Sequence, residues 1–143
     1  MRIAVIDGQG GGIGKLITEK IRKTLPPEVE IIALGTNALA TSLMLKAGAN
    51  DGASGENAIM INCPDADVIV GSLSILIANS MLGELTPNMA KAVAESKAIK
   101  LIIPLTRSAV EIIGARKEPL PHQIDLLIEK LQQILVDRSN YKG

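Results

Sequence analysis

Aromatic side chains are nearly missing from this chain: Tyr141 is the single tyrosine, and there is no tryptophan and no phenylalanine. A nucleobase or flavin ring therefore has almost nothing to stack on. Cysteine is just as scarce, with Cys63 alone, which excludes an intramolecular disulfide and a cysteine-based metal cluster. An excess of charge of one sign is missing too, because 15 Lys and Arg balance 15 Asp and Glu. With no basic stripe and no acidic tail, an electrostatic partnership with nucleic acid or a membrane surface is excluded. Long apolar runs do not occur either: the richest window, "VIVGSLSILIANSML", is broken by Gly71, Ser72, Ser74, Asn79 and Ser80 and is too short to span a bilayer as one helix. The chain opens directly on a strand pattern, without a charged and then apolar leader, so a soluble protein of a reducing cytoplasm is expected.

What is present is an aliphatic chain of 143 residues with 47% hydrophobic content, enough for one ordinary domain and too little for two. We read a single domain over residues 1–138 and a frayed polar tail over 139–143. Arg2 to Asp7, "RIAVID", is a short aliphatic run that reads as a strand buried on both faces. Ile13, Leu16, Ile17, Ile21 and Leu25 then recur at helical spacing up to Pro26 and Pro27. "EVEIIAL" (28–34) predicts a second strand, and Asn37 to Gly48 a helix with an asparagine cap and a glycine stop.

"SGENAIMINCP" reads as a short helix before Pro64, with an edge strand over Ala58 to Asn62 as the alternative. "DVIVG" (67–71), "KLIIPL" (100–105) and "VEIIG" (110–114) are further strand candidates. Between the first two, an apolar helical stretch is interrupted at Gly83 and restarted by Thr86 and Pro87. Ile124 to Leu135 forms the apolar face of a final helix. Strands alternating with helices predict an α/β fold: one doubly wound domain with a mainly parallel sheet of about five strands. Ligands in such sheets bind beyond the carboxyl ends of the strands. Four segments lie there: the glycine loop, Gly35 to Asn37, Gly71 to Ser74, and Pro104 to Arg107.

The glycine loop, "DGQGGGIGK", puts Gly8, Gly10, Gly11, Gly12 and Gly14 between the first strand and its helix. It is similar to the "KGGVGKT" loop of partition-type ATPases, but a Walker A loop needs a glycine where Gln9 stands and a hydroxyl where Leu16 stands. The strict dinucleotide pattern G-x-G-x-x-G fails at Ile13. Gly8, Gly12 and Gly14, with Ile13 between the last two, match G-x-x-x-G-I-G instead, and over this first βαβ unit the chain resembles the short-chain dehydrogenases. The resemblance implies backbone amides set against a pyrophosphate at a helix N-terminus, and so NAD(P) or another nucleotide as cofactor. The catalytic Tyr-x-x-x-Lys pair of that family has no counterpart, since Tyr141 lies in the tail. Gly35-Thr36-Asn37 stands where an acidic residue commonly holds the ribose. Read whole, "VIDGQGGGIG", "LGTNALAT", "GENAI", "DVIVGS", "GELTP" and "LIIPLTRS" resemble a family of short bacterial Rossmann-like proteins of unassigned function (domain of unknown function 3842). That likeness implies the fold and a cytoplasmic location, and no substrate.

The candidate site is therefore Gly8, Gln9, Gly10, Gly11, Gly12, Ile13, Gly14 and Lys15 from the loop, Thr36 and Asn37 after the second strand, Gly71, Ser72 and Ser74 after the third, and Arg107 as an anion clamp. Asp7 either bonds loop amides or faces a ribose or a metal; the structural reading is preferred. His122 lacks a catalytic partner at recognisable spacing, and Cys63 reads as a small buried residue. No metal site is expected. The expected function is binding of a small phosphate-bearing ligand without a recognisable catalytic set. The alternative is a small NAD(P)-dependent oxidoreductase completed across a subunit interface, with Ser72, Ser74, Asn79 or Arg107 contributing. An assembly protein with a purely structural loop is the third reading. An apolar helix from Ser74 to Gly83 suggests a homo-oligomer.

Overall fold

Strand β1 (Arg2–Asp7) sits at the middle of the sheet because both of its edges are taken. β2 (Glu30–Gly35) runs parallel to it on one side, with Asp7 opposite Gly35, and β4 (Val68–Ser72) runs parallel on the other. β3 (Asp51–Ser54) extends the sheet beyond β2, and β5 (Ile99–Ile103) beyond β4. The order β3-β2-β1-β4-β5, all parallel, reverses direction between β1 and β4, which is the switch point of a doubly wound sheet. The computed structural model describes residues 1–142.

Strand residues alternate between two cores, as the pleat requires. Ile3, Val5, Ile31, Ala33, Val68 and Val70 face α1 (Gly12–Thr24), α2 (Ala38–Lys46) and α5 (Leu120–Lys142). Ala4, Ile6, Ile32, Leu34 and Ile69 face α3 (Glu56–Asn62) and α4 (Pro87–Glu95). Helix ends follow local chemistry. The Asn37 carboxamide oxygen accepts the Ala40 amide at 2.9 Å, and Gly48 with φ 123° closes the chain after α2. Thr86 accepts the Met89 amide at 3.2 Å, with Pro87 at the first helical position of α4. Among the described residues no helix is long and apolar enough to cross a membrane.

Four expectations change. β3 went unseen because its sequence, "DGAS", holds no large apolar residue: an edge strand pairs on one side and stays largely exposed, so burial sets no hydrophobic pattern. "VEIIG" is not a strand; it lies in the irregular connection over 104–119, where Ile113 is 93% exposed. The Ser74–Gly83 segment is not an α-helix. It forms two short 3₁₀ turns, Leu73–Leu76 and Met81–Gly83, with Ile75 buried and Leu82 exposed, so the all-round apolar helix that suggested a subunit contact does not exist. The tail is helical through Lys142 as part of α5, held by Gln133 donating to Asp137 and by Arg138 paired with Asp67 at 3.1 Å; Gly143 lies outside the described residues. The segment left open between helix and edge strand is helix α3.

Candidate functional site

The turn from β1 into α1 is built on one buried carboxylate. Asp7 Oδ1 accepts the Gly8 amide at 2.8 Å and Oδ2 accepts the Gly14 amide at 2.7 Å, which pins both ends of the glycine loop to a single side chain. Burial pushes the Asp7 pKa up; the Gly14 and Gly8 amides oppose that shift, and the Glu84 charge adds to it. Gly11 sits between, with φ 74°, and caps α1 with its backbone alone. Leu43 and Ala40 crowd it: an added β-carbon would lie 2.8 Å from the Ala40 Cα. Gly14 is equally confined, since a β-carbon there would stand 2.8 Å from the Asp7 Cβ.

Gly10 and Gly12 are different. Neither has a positive φ, and a β-carbon at either would meet no atom within 4 Å. The fold has no need of glycine at these two positions. The amides of Gly10, Gly12 and Ile13 also find no acceptor among the described residues. Beside them, between the carboxyl ends of β1, β4 and β5, lies a cavity of about 590 Å³, within the ordinary range for small-molecule sites. Gln9 and Ile13 from the loop line it, with Ser72, Ser74, Asn79 and Ser80 from the end of β4 and beyond, and Thr106, Arg107 and Ser108 after β5. Ser74 and Thr106 hydroxyls bond each other at 2.8 Å, joining the two walls. Arg107 is the one cation among these lining residues.

A model of the family described as a domain of unknown function (DUF3842) matches residues 2–136. The chain belongs to that family. No curated protein shows a match to it. Within this DUF3842 domain the four expected segments separate into two groups. Gln9 and Ile13 of the loop, Ser72 and Ser74, and Arg107 meet at the cavity, while the loop glycines are not among its lining residues. Thr36 and Asn37 do not reach it, because both donate to Glu84 Oε1, at 2.7 and 2.8 Å, and the Gln9 amide donates to the same oxygen at 2.9 Å. The Thr36 hydroxyl, against the opposing effect of burial and with help from the Gln9 and Asn37 donors, holds the Glu84 pKa below the usual glutamate value.

The remaining candidates have structural places. Lys15 is exposed and outside the cavity wall. Gly71 lets β4 pass close to β1, since a β-carbon there would lie 2.8 Å from the Ile6 carbonyl oxygen. Gly8 is covered by the chain after β4, where the same test finds the Met81 sulfur at 2.6 Å. His122 pairs with Glu118 at 2.6 Å on the surface at the start of α5, and Cys63 is fully buried with its thiol pushed up to about 11 by burial. Glu84, Ser80, Thr106 and Ser108 were not foreseen. They come from irregular chain, where periodicity carries no signal, although "GELTP" did mark the stretch that holds Glu84.

Two outcomes follow from this geometry. Gly12→Ala is expected to keep or raise stability by up to about 1 kcal/mol, through lost freedom of the unfolded chain. Gly14→Ala is expected to lower it by about 1–3 kcal/mol through overpacking against Asp7. Urea midpoints of the two variants check the contrast, and equal losses would contradict it. The second outcome concerns acid. Because the folded pKa of Glu84 is depressed, its contribution is complete above the ordinary glutamate value, roughly pH 4.3, and is lost as pH falls through the lowered value. Glu84→Gln should thus melt below the wild type at pH 7, with a gap that closes on acidification; a gap unchanged to pH 3 in calorimetry would contradict the assignment.

Proposed function

We propose that the domain binds a nucleotide through its phosphate, with the phosphate over the amides of Gly10, Gly12 and Ile13 and the nucleoside in the crevice between β1 and β4. The observation that carries this reading is the pair of glycines the fold does not use. Gly10 and Gly12 have ordinary backbone angles and open space where a side chain would go, yet glycine in the first turn of a helix costs stability relative to alanine. Close approach of a ligand to the backbone accounts for both. Unpaired amides at the start of α1 supply donors, and the helix supplies a partial positive charge.

Arg107 supports the reading from the other wall, as a guanidinium suited to a phosphate oxygen pair. Hydroxyls from Ser72, Ser74, Thr106 and Ser108, with the Asn79 amide, suit a ribose or a base edge. The crevice suits one nucleoside, because Glu84 occupies the donors that follow β2. Asp7 has both oxygens engaged by amides and is assigned no part in proton transfer. We assign binding and no reaction to the site, and a cytoplasmic setting agrees with a single, buried cysteine.

Calorimetric titration with AMP, ATP, NAD and NADP tests the proposal. Micromolar to sub-millimolar binding is expected for at least one of them, abolished by Gly12→Val, whose β-carbon meets no protein atom within 4 Å. Arg107→Ala should weaken binding on the order of tenfold, from the loss of a charge-assisted contact. Absence of binding by all four at millimolar concentration would refute it.

A further inference from the structure

Glu84 belongs to a strap that crosses the front of the glycine loop. Its ends are tied: the Asn79 amide donates to the Leu85 carbonyl at 2.8 Å, the Leu85 amide donates to the Ser80 carbonyl at 3.2 Å, and the Ser80 hydroxyl donates to the Ser74 carbonyl at 2.6 Å. Between the ties the backbone is strained. Asn79, Met81 and Leu82 have φ of 65°, 56° and 55°, a left-handed region that asparagine tolerates and that methionine and leucine rarely adopt. Leu82 at the tip is 98% exposed, so no apolar burial there offsets the strain.

Besides the buried Leu85 and the packing of Met81 on the core, the Glu84 carboxylate holds the strap down. One of its oxygens takes three donors: the amide of Gln9, a loop residue that also lines the cavity, and the Thr36 hydroxyl and Asn37 carboxamide, which follow β2 and lie outside the cavity lining. Met81 presses on Gly8 beside it. In a doubly wound sheet a dinucleotide lies across the switch point, one nucleoside on each side of the first loop. Here one side is an open crevice, and the other is a set of donors already filled by the protein itself.

We infer that Glu84 is an internal occupant of a second nucleoside subsite, a clasp that limits the wild-type crevice to ligands with one nucleoside and whose release lets the site accept a dinucleotide. This rests on the reading of the glycine loop as a phosphate site. The donor set of the subsite is chemically suited to ribose hydroxyls as well as to a carboxylate: a backbone amide, a hydroxyl that both donates and accepts, and an asparagine side chain. The clasp charge is stabilised by those donors, which is why the Glu84 pKa is depressed, and removing the carboxylate frees all three at once. Strain in the strap then favours its moving away.

AMP and NAD, titrated separately into the wild type, Glu84→Ala and the double variant Glu84→Ala with Thr36→Val, test this. The single variant is expected to bind NAD at least tenfold more tightly than the wild type, with AMP affinity changed by less than about threefold. The double variant is expected to lose most of the NAD gain, since valine keeps the threonine shape and removes its hydroxyl. Glu84→Gln is the second probe if alanine impairs folding: its neutral oxygen accepts more weakly, and an intermediate NAD gain is expected. AMP binding throughout with no NAD gain in either Glu84 variant overturns the clasp while the phosphate site stands. A gain shared equally by AMP and NAD also overturns it. Failure of AMP and NAD to bind any of the proteins overturns the phosphate reading on which the clasp depends.

Discussion

The two hydrogen bonds that Asp7 accepts from Gly8 and Gly14 decide the shape of everything at this end of the sheet. A carboxylate at the end of a central strand, 6% exposed, carries a desolvation cost that only close donors offset. The amides that meet it come from both ends of the loop, so satisfying the charge closes the turn. The same contact explains Gly14, whose missing side chain is what lets α1 begin so near Asp7. With the carboxylate saturated, three of the amides between the two anchors, those of Gly10, Gly12 and Ile13, find no acceptor among the described residues. The buried aspartate thus decides which loop amides stay free of a protein acceptor.

A second carboxylate repeats the logic a few ångströms on. Glu84 takes the Gln9 amide and the two side-chain donors after β2, and its charge adds to the upward shift of the Asp7 pKa. The loop is therefore ordered by acceptors the protein itself provides, on both flanks, before any ligand arrives. Preorganisation of this kind lowers the entropic cost of binding. The Asp7 carboxylate, which lines the cavity, gives Arg107 on the far wall an electrostatic counterpart.

Most of the fold could be read from sequence because burial writes itself into the aliphatic pattern. β1, β2, β4 and β5 are continuous apolar runs, and the caps at Asn37 and Thr86 are polar residues at the positions their helices start. What could not be read obeys other constraints. β3 is held by main-chain pairing to β2 and by the Thr41 hydroxyl at Ala53 and Ser54, and has no large apolar residue to mark it. The 74–83 segment looks helical in composition, yet its backbone turns repeatedly into the left-handed region at Asn79, Met81 and Leu82, for which those side chains give no warning. "VEIIG" resembles a strand but pairs with none and lies in the irregular connection between β5 and α5. Of the residues that line the cavity, Gln9, Ile13, Ser72, Ser74 and Arg107 were legible in the sequence. Glu84 was missed because its partners, Gln9, Thr36 and Asn37, are remote in sequence and nothing in the spacing connects them.

Amide spectra of the isotope-labelled protein during titration with AMP test the central claim most directly, since each loop amide reports separately. The account predicts that the signals of Gly10, Gly12 and Ile13 move furthest, together with the Arg107 side chain, while those of Gly8 and Gly14, locked to Asp7, move little. Shifts that leave Gly10, Gly12 and Ile13 in place, or that cluster instead around β3 and α2, would contradict it.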